Sequence, residues 1–247
     1  MELICPFADQ RFKHVSRGLY GKGYPKGAVV HYTAGQCSTE QDAIDSITWG
    51  RDEGLAFFMI GPTGVIYQTL PLNQWGHHCG QSQWPGLGTS LSSQLVGIEI
   101  ACAGFLDRDG KAWFGKQYHK DDFRFVSSSE FPSGNYKKYT MAQENSLVML
   151  LRWLHQNCPE VFSFDYVLGH HEISPNRKND PGGSLSCSMS ELRAQLKGFP
   201  IAAKPNVEKP VEKPVEKPVE IKPELPPLKP QKSIWQIIAD FFAKLFS

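Results

Sequence analysis

The chain has 247 residues, of which 40% are apolar and 21% charged, and its 26 basic and 25 acidic side chains leave a net charge of +1. That profile suits a soluble globular domain with an appendage. It argues against nucleic acid as a partner, because binders of that polyanion carry a basic excess.

The first residues, MELICPFADQRFKHV, lack a basic stretch followed by an apolar one, so synthesis in the cytoplasm without standard export is expected. No run approaches the roughly 20 apolar residues of a spanning helix. Six cysteines (Cys5, Cys37, Cys79, Cys102, Cys158 and Cys187) include no Cys-x-x-Cys pair, which excludes a structural zinc knuckle of that type. They are expected to be reduced thiols.

Residues 27–31 (GAVVH) predict a short buried strand. Residues 38–53 predict a helix opened by a Ser cap, with Ala43, Ile44 and Ile47 on its apolar face. Residues 57–60 and 65–68 flank Gly61-Pro62-Thr63-Gly64, the pattern of two strands joined by a turn. Residues 95–101 (LVGIEIA) predict another buried strand. Residues 104–139 are rich in charge, aromatic residues and glycine, and are expected to form a long decorated loop. A Thr cap opens a strongly periodic helix over 140–157, a short strand follows at 165–168, and a last helix covers 188–197. Alternating elements of this kind imply an α/β fold, a central mixed β-sheet flanked by helices, over residues 1–203.

Residues 204–232 repeat Val-Glu-Lys-Pro without any aromatic residue. Proline fixes φ and removes backbone donors, so this is expected to be a disordered, extended linker. Residues 233–247 place Ser233, Gln236, Asp240, Lys244 and Ser247 on one polar stripe of a helix, with large apolar residues around the rest. This amphipathic C-terminal helix is too short to span a bilayer. A membrane surface, a second copy and the folded domain are three partners open to it.

Three places attract metal chemistry. His31 ends an apolar strand, His170-His171-Glu172 follows another, and Asp180 sits in a proline-braced loop. Two imidazoles and a carboxylate from distant stretches suffice for a catalytic zinc ion, whose fourth position stays open for water.

The segments Val29-Val30-His31-Tyr32-Thr33-Ala34-Gly35, Val96-Gly97-Ile98-Glu99-Ile100 and Gly169-His170-His171-Glu172 through Lys178-Asn179-Asp180-Pro181-Gly182 resemble, in order, the three signatures of the zinc-dependent N-acetylmuramoyl-L-alanine amidases. That family includes cell-wall amidases, phage lysins and peptidoglycan recognition proteins. The resemblance covers about residues 20–200. It implies Zn2+ held by His31, His170 and Asp180, with His171 at a variable position and Cys187 a weaker substitute for Asp180. It further implies Glu99 as the proton shuttle beside the attacking water and Lys178 as the stabiliser of the tetrahedral oxygen. Trp75-Gly76-His77-His78-Cys79-Gly80-Gln81-Ser82 resembles the family's Trp-His-Ala-Gly stretch with altered spacing. There His78 is expected to line a substrate groove beside Tyr32, or to serve structurally. The implied substrate is peptidoglycan, as muropeptide, cut between N-acetylmuramic acid and L-alanine in the bacterial cell wall. A non-catalytic binding module and a wall-recycling enzyme are the alternatives.

Overall fold

The computed structural model describes residues 3–198; the linker at 204–232 and the helix expected at 233–247 lie outside them. Nine of the thirteen strands among the described residues build the two larger sheets: β1 Ala8–Asp9, β2 Gly27–Tyr32, β3 Phe58–Ile60, β4 Ile66–Gln68, β5 Leu95–Ile100, β6 Phe105–Leu106, β7 Phe123–Val126, β8 Gly134–Lys137 and β9 Val167–Gly169. Four helices accompany them: α1 Glu40–Asp52, α2 Met141–Asn157, α3 His170–Ile173 and α4 Met189–Gly198.

Six strands form the central sheet in the order β1-β4-β3-β5-β2-β9. It is mixed: β3 and β4 run antiparallel across the Gly61–Gly64 turn, and every other neighbouring pair is parallel. Alternation along the strands decides which residues meet which helices. Ala28, Val30, Val96, Ile98 and Ile100 pack on one face with Leu147, Leu150, Leu151 and Leu154 of α2 and Leu192 and Leu196 of α4. Truncating any one of those fully enclosed leucines would cost about 2–5 kcal/mol. On the other face Val29, Leu95 and Leu168 pack with Leu91 and Ile173, while Met59 and Tyr67 meet Ala43 and Ile47 of α1.

Both long helices begin at threonines. Thr140 caps α2 in a reciprocal box with Gln143, as the sequence predicts. Helix α1 is capped by Thr39 with Asp42, one residue beyond the Ser38 expected. The stretch 104–139 differs from expectation. It is no bare loop, because β8 pairs antiparallel with both β6 and β7 in a second sheet. Its strands are two to four residues long and show no run of alternating apolar residues, so periodicity does not reveal them. Tyr136 is fully buried at its centre, and Leu106 of β6 packs with Ala112 and Tyr118 beside it.

Candidate metal centre and active site

The site forms where parallel strands end. In the register of β2 with β5, His31 lies directly beside Glu99, and Met59 of β3 flanks Glu99 on its other side. Both His31 and Glu99 share the parity of Val29 and Leu95, so they face away from α2. Strand β9 pairs Gly169 with Val30 and then turns into α3, which brings His170 to the level of His31. The loop after α3 returns Asp180 to the same place. His31 Nδ1 lies 2.9 Å from His170 Nδ1 and 2.9 Å from Asp180 Oδ2, and His170 Nδ1 lies 3.0 Å from that oxygen. All three residues are buried.

The outer nitrogens set the inner ones. His78 Nε2 lies 2.9 Å from the Leu95 carbonyl, which can only accept, so the His78 proton is on Nε2 and its Nδ1 is an acceptor. His31 Nε2, 3.1 Å from that Nδ1, must therefore donate to it, which leaves His31 Nδ1 as a bare lone pair. His170 Nε2 lies 3.0 Å from the Cys79 carbonyl and donates there, so its Nδ1 is bare as well. Two lone pairs and a carboxylate oxygen thus converge with no proton of their own to share. Such a set repels itself unless a cation or added protons join it. The residues fit zinc: its nitrogen and oxygen ligands, at about 2.0–2.1 Å, stand roughly 3.3 Å apart in a tetrahedron.

Electrostatics follow from enclosure. Burial pulls His31 down to about 4, aided by the neighbouring His170 and opposed by Asp180. Burial alone would raise the Asp180 carboxyl, but the two imidazoles packed against it outweigh burial and hold the group well below the usual range. Glu99 moves the other way. Burial, and then the charge of Asp180, push it up to about 8, and Lys178 only partly opposes this. Among the described residues Glu99 forms no ion pair, and its Oε2 is enclosed without a hydrogen-bond partner. A carboxyl held in this way costs stability, which singles Glu99 out as a working group.

Lys178 is exposed on the loop between α3 and Asp180, close enough for its charge to act on His31 and Glu99. Tyr32 and His78 are not neighbours in one groove. Successive strand residues face opposite sides, so Tyr32 packs toward the α2 core, and its hydroxyl donates to Asn179 Oδ1 at 2.5 Å. His78 instead stands behind His31. Its ring occupies the space over Gly97, where a Cβ would meet His78 Cγ at 2.6 Å. That contact explains the glycine inside an otherwise apolar strand.

The doubled histidine resolves through helix geometry, since adjacent residues of a helical turn project about 100° apart. His170 faces Asp180 Oδ2. His171 faces away, and its backbone N–H and ring Nδ1–H both reach the Asp180 carbonyl, at 2.9 and 3.1 Å. It thereby pins the backbone of the third member. Cys187 lies outside the cluster, against the α2 side of the core. Sequence reasoning missed two supports. Arg177 donates to the carbonyls of Cys79 and Gln81, tying that segment to α3. Glu172 accepts from Gly169 N–H and forms a two-pronged ion pair with Arg193, which holds the turn that presents His170. Glu172 lies two places after His170 and Arg177 three before Asp180, and that closeness to a ligand was the only signal for either.

Residues 21–183 match the family model of N-acetylmuramoyl-L-alanine amidase. No curated protein sequence matches the chain. Among solved structures, a selenomethionine derivative of AmpD is 21% identical with a TM-score of 0.52, over 78% of this chain and 97% of that one. AmpDH3 from Pseudomonas aeruginosa, solved in complex with anhydromuramic pentapeptide, is 21% identical with a TM-score of 0.50, over 76% of this chain and 64% of that one. At such identities the likeness establishes the fold, while the family model spans both strand-end histidines, Glu99 and Asp180. The chain belongs to the N-acetylmuramoyl-L-alanine amidase family and is an amidase of peptidoglycan.

Proposed function

We propose that the protein is a zinc-dependent, lysin-type amidase that hydrolyses the bond between N-acetylmuramic acid and L-alanine in the cell wall. One observation carries this reading: the bare Nδ1 atoms of His31 and His170 meet Asp180 Oδ2 within 3.0 Å, with the unpartnered Glu99 carboxyl on the neighbouring strand. His31, His170 and Asp180 would hold the ion. Zinc, when bound, supplies a Lewis acid that polarises the amide carbonyl and acidifies water.

The chain's own residues do the rest. Glu99 takes the proton of the water that adds to the carbonyl carbon. It delivers that proton to the L-alanine nitrogen as the carbon–nitrogen bond breaks. Burial favours the protonated form of Glu99, which suits a carboxylate that takes a proton and gives it back. Lys178, on its exposed loop, brings positive charge to the oxygen that turns negative. A binding module that did not cut would have no use for an enclosed, unpaired carboxyl at this point.

The test is mass spectrometry of purified peptidoglycan digested with the protein, with and without a chelator. The expected product is peptide with a free L-alanine amino terminus, lost on chelation and restored by zinc. Unchanged release after complete metal removal would overturn zinc dependence. The aromatic, apolar residues of 233–247 support a lysin that meets the membrane through its C-terminal segment. Deleting 233–247 should spare activity on soluble fragments and lower it on membrane-enclosed walls; equal activity on both would refute a membrane role.

A further inference from the structure

The connection between β6 and β7 carries an aromatic residue that the catalytic reading does not use. Trp113 is 79% exposed, the most of any tryptophan among the described residues. Yet it is held in place. It stands in the tight turn closed by Gly115 N–H to the Ala112 carbonyl at 2.8 Å, and Ala112 N–H bonds the Lys116 carbonyl at 2.8 Å. Its indole N–H donates to the Ala34 carbonyl at 2.6 Å, and Lys116 bonds the Ser38 hydroxyl alongside. Phe114 meets its ring edge-on at 5.7 Å. The polar edge of the indole is thus tied down while most of the ring faces water.

Position gives this a meaning. Ala34 follows His31 by three residues, so its backbone lies at most about 11 Å along the chain from the metal ligand. The indole is thus tied to the segment that directly follows the strand presenting this ligand. Around the tip the exposed residues are Lys111, Gly115 and Gln117, with Lys116 half-buried. A fixed indole backed by the half-buried Phe114 and flanked by polar groups is unlike the broad apolar patch that protein or lipid partners need. It matches the carbon–hydrogen face of a sugar ring, with polar groups nearby for the hydroxyls.

We propose that Trp113 is a glycan-binding subsite, on which a pyranose ring of the wall polymer stacks beside the catalytic centre. The proposal rests on the amidase reading and narrows it: the preferred substrate is a peptide still attached to a glycan strand rather than to a single muramic acid. Binding is tested with peptide-free strands of alternating N-acetylglucosamine and N-acetylmuramic acid, by calorimetry and by tryptophan emission. Trp113→Ala should weaken that binding about tenfold, the equivalent of about 1.4 kcal/mol of stacking, and abolish the emission change. It should also lower kcat/KM on polymeric peptidoglycan, relative to that on muramic acid peptide, by a similar factor. Equal affinity of wild type and variant for the strands would overturn the subsite, as would an emission change that survives in the variant or an unaltered polymer-to-monomer ratio. Loss of the amidase reading looks different: the unaltered protein would then release no L-alanine-terminated peptide from either substrate.

Discussion

His78→Ala removes no proposed ligand, yet it should weaken zinc binding more than any other change outside the cluster. The His78 ring accepts the His31 Nε2–H at 3.1 Å and donates to the Leu95 carbonyl at 2.9 Å. Without it, His31 keeps a donor with no acceptor in a ring only 1% exposed, a cost of about 1–3 kcal/mol. His31 can recover part of that cost by moving its proton to Nδ1, the nitrogen the ion needs. Loss of such an outer partner typically lowers metal affinity by about 10–100-fold. Competition against a chromophoric chelator at neutral pH measures the dissociation constant directly. Gly97→Ala should act in the same direction, since its Cβ would stand 2.6 Å from His78 Cγ. A His78→Ala protein that binds zinc within twofold of the parent would refute the argument that this relay sets the tautomer of His31.

Glu99→Gln should retain zinc while turnover falls by about 100–10,000-fold, read by peptide release; near-normal hydrolysis would sink the proton-shuttle assignment. Lys178→Ala should lower kcat on the order of 100-fold with little change in melting temperature, because the side chain is exposed; equal kcat would remove it from the site. Glu172→Ala breaks the ion pair with Arg193 and frees the Gly169 N–H, and should cost about 2 kcal/mol or more in urea unfolding; less than half of that would mean the pair is idle. The metal-free protein should lose stability at both ends of the pH range. Between its ordinary 4.5 and about 8, Glu99 binds more proton folded than unfolded, so stability falls as pH rises through that window, and Glu99→Gln should flatten the limb. Between 6.5 and about 4, His31 binds less proton folded than unfolded, so stability falls as pH drops. Denaturation at pH 5, 7 and 9 with chelator present checks both signs.

The site was legible to the extent that its chemistry is written in contiguous residues. Val-Val-His, Gly-Ile-Glu-Ile and the long Gly-His to Asp-Pro-Gly segment carry both the element that presents a side chain and the side chain itself. Alternation along β2 and β5 then puts His31 and Glu99 on one face without further information. His78 was harder, because its segment departs from the family spacing and nothing local shows which side of a sheet it will reach. Tyr32 takes the face opposite His31, because adjacent residues of a strand point to opposite sides, and its hydroxyl reaches Asn179 beside Asp180. The second sheet escaped notice because its strands are short and its buried residues, Leu106 and Tyr136 among them, are too widely spaced to form a periodic pattern.

From the sequence alone came the α/β class, the capped helices, the strand that ends in His31 and the identity of the three residues suited to a metal. These depend on local backbone preference and on one-dimensional pattern, which a chain states without folding. Only the tertiary structure decided that three nitrogen and oxygen atoms meet within 3.0 Å, that His171 turns to the backbone while His170 turns inward, and that two carbonyls 16 residues apart, those of Cys79 and Leu95, determine where the imidazole protons sit. Proton placement depends on which acceptor lies within about 3 Å. That distance is set by packing between segments far apart in the chain, and no local pattern encodes it.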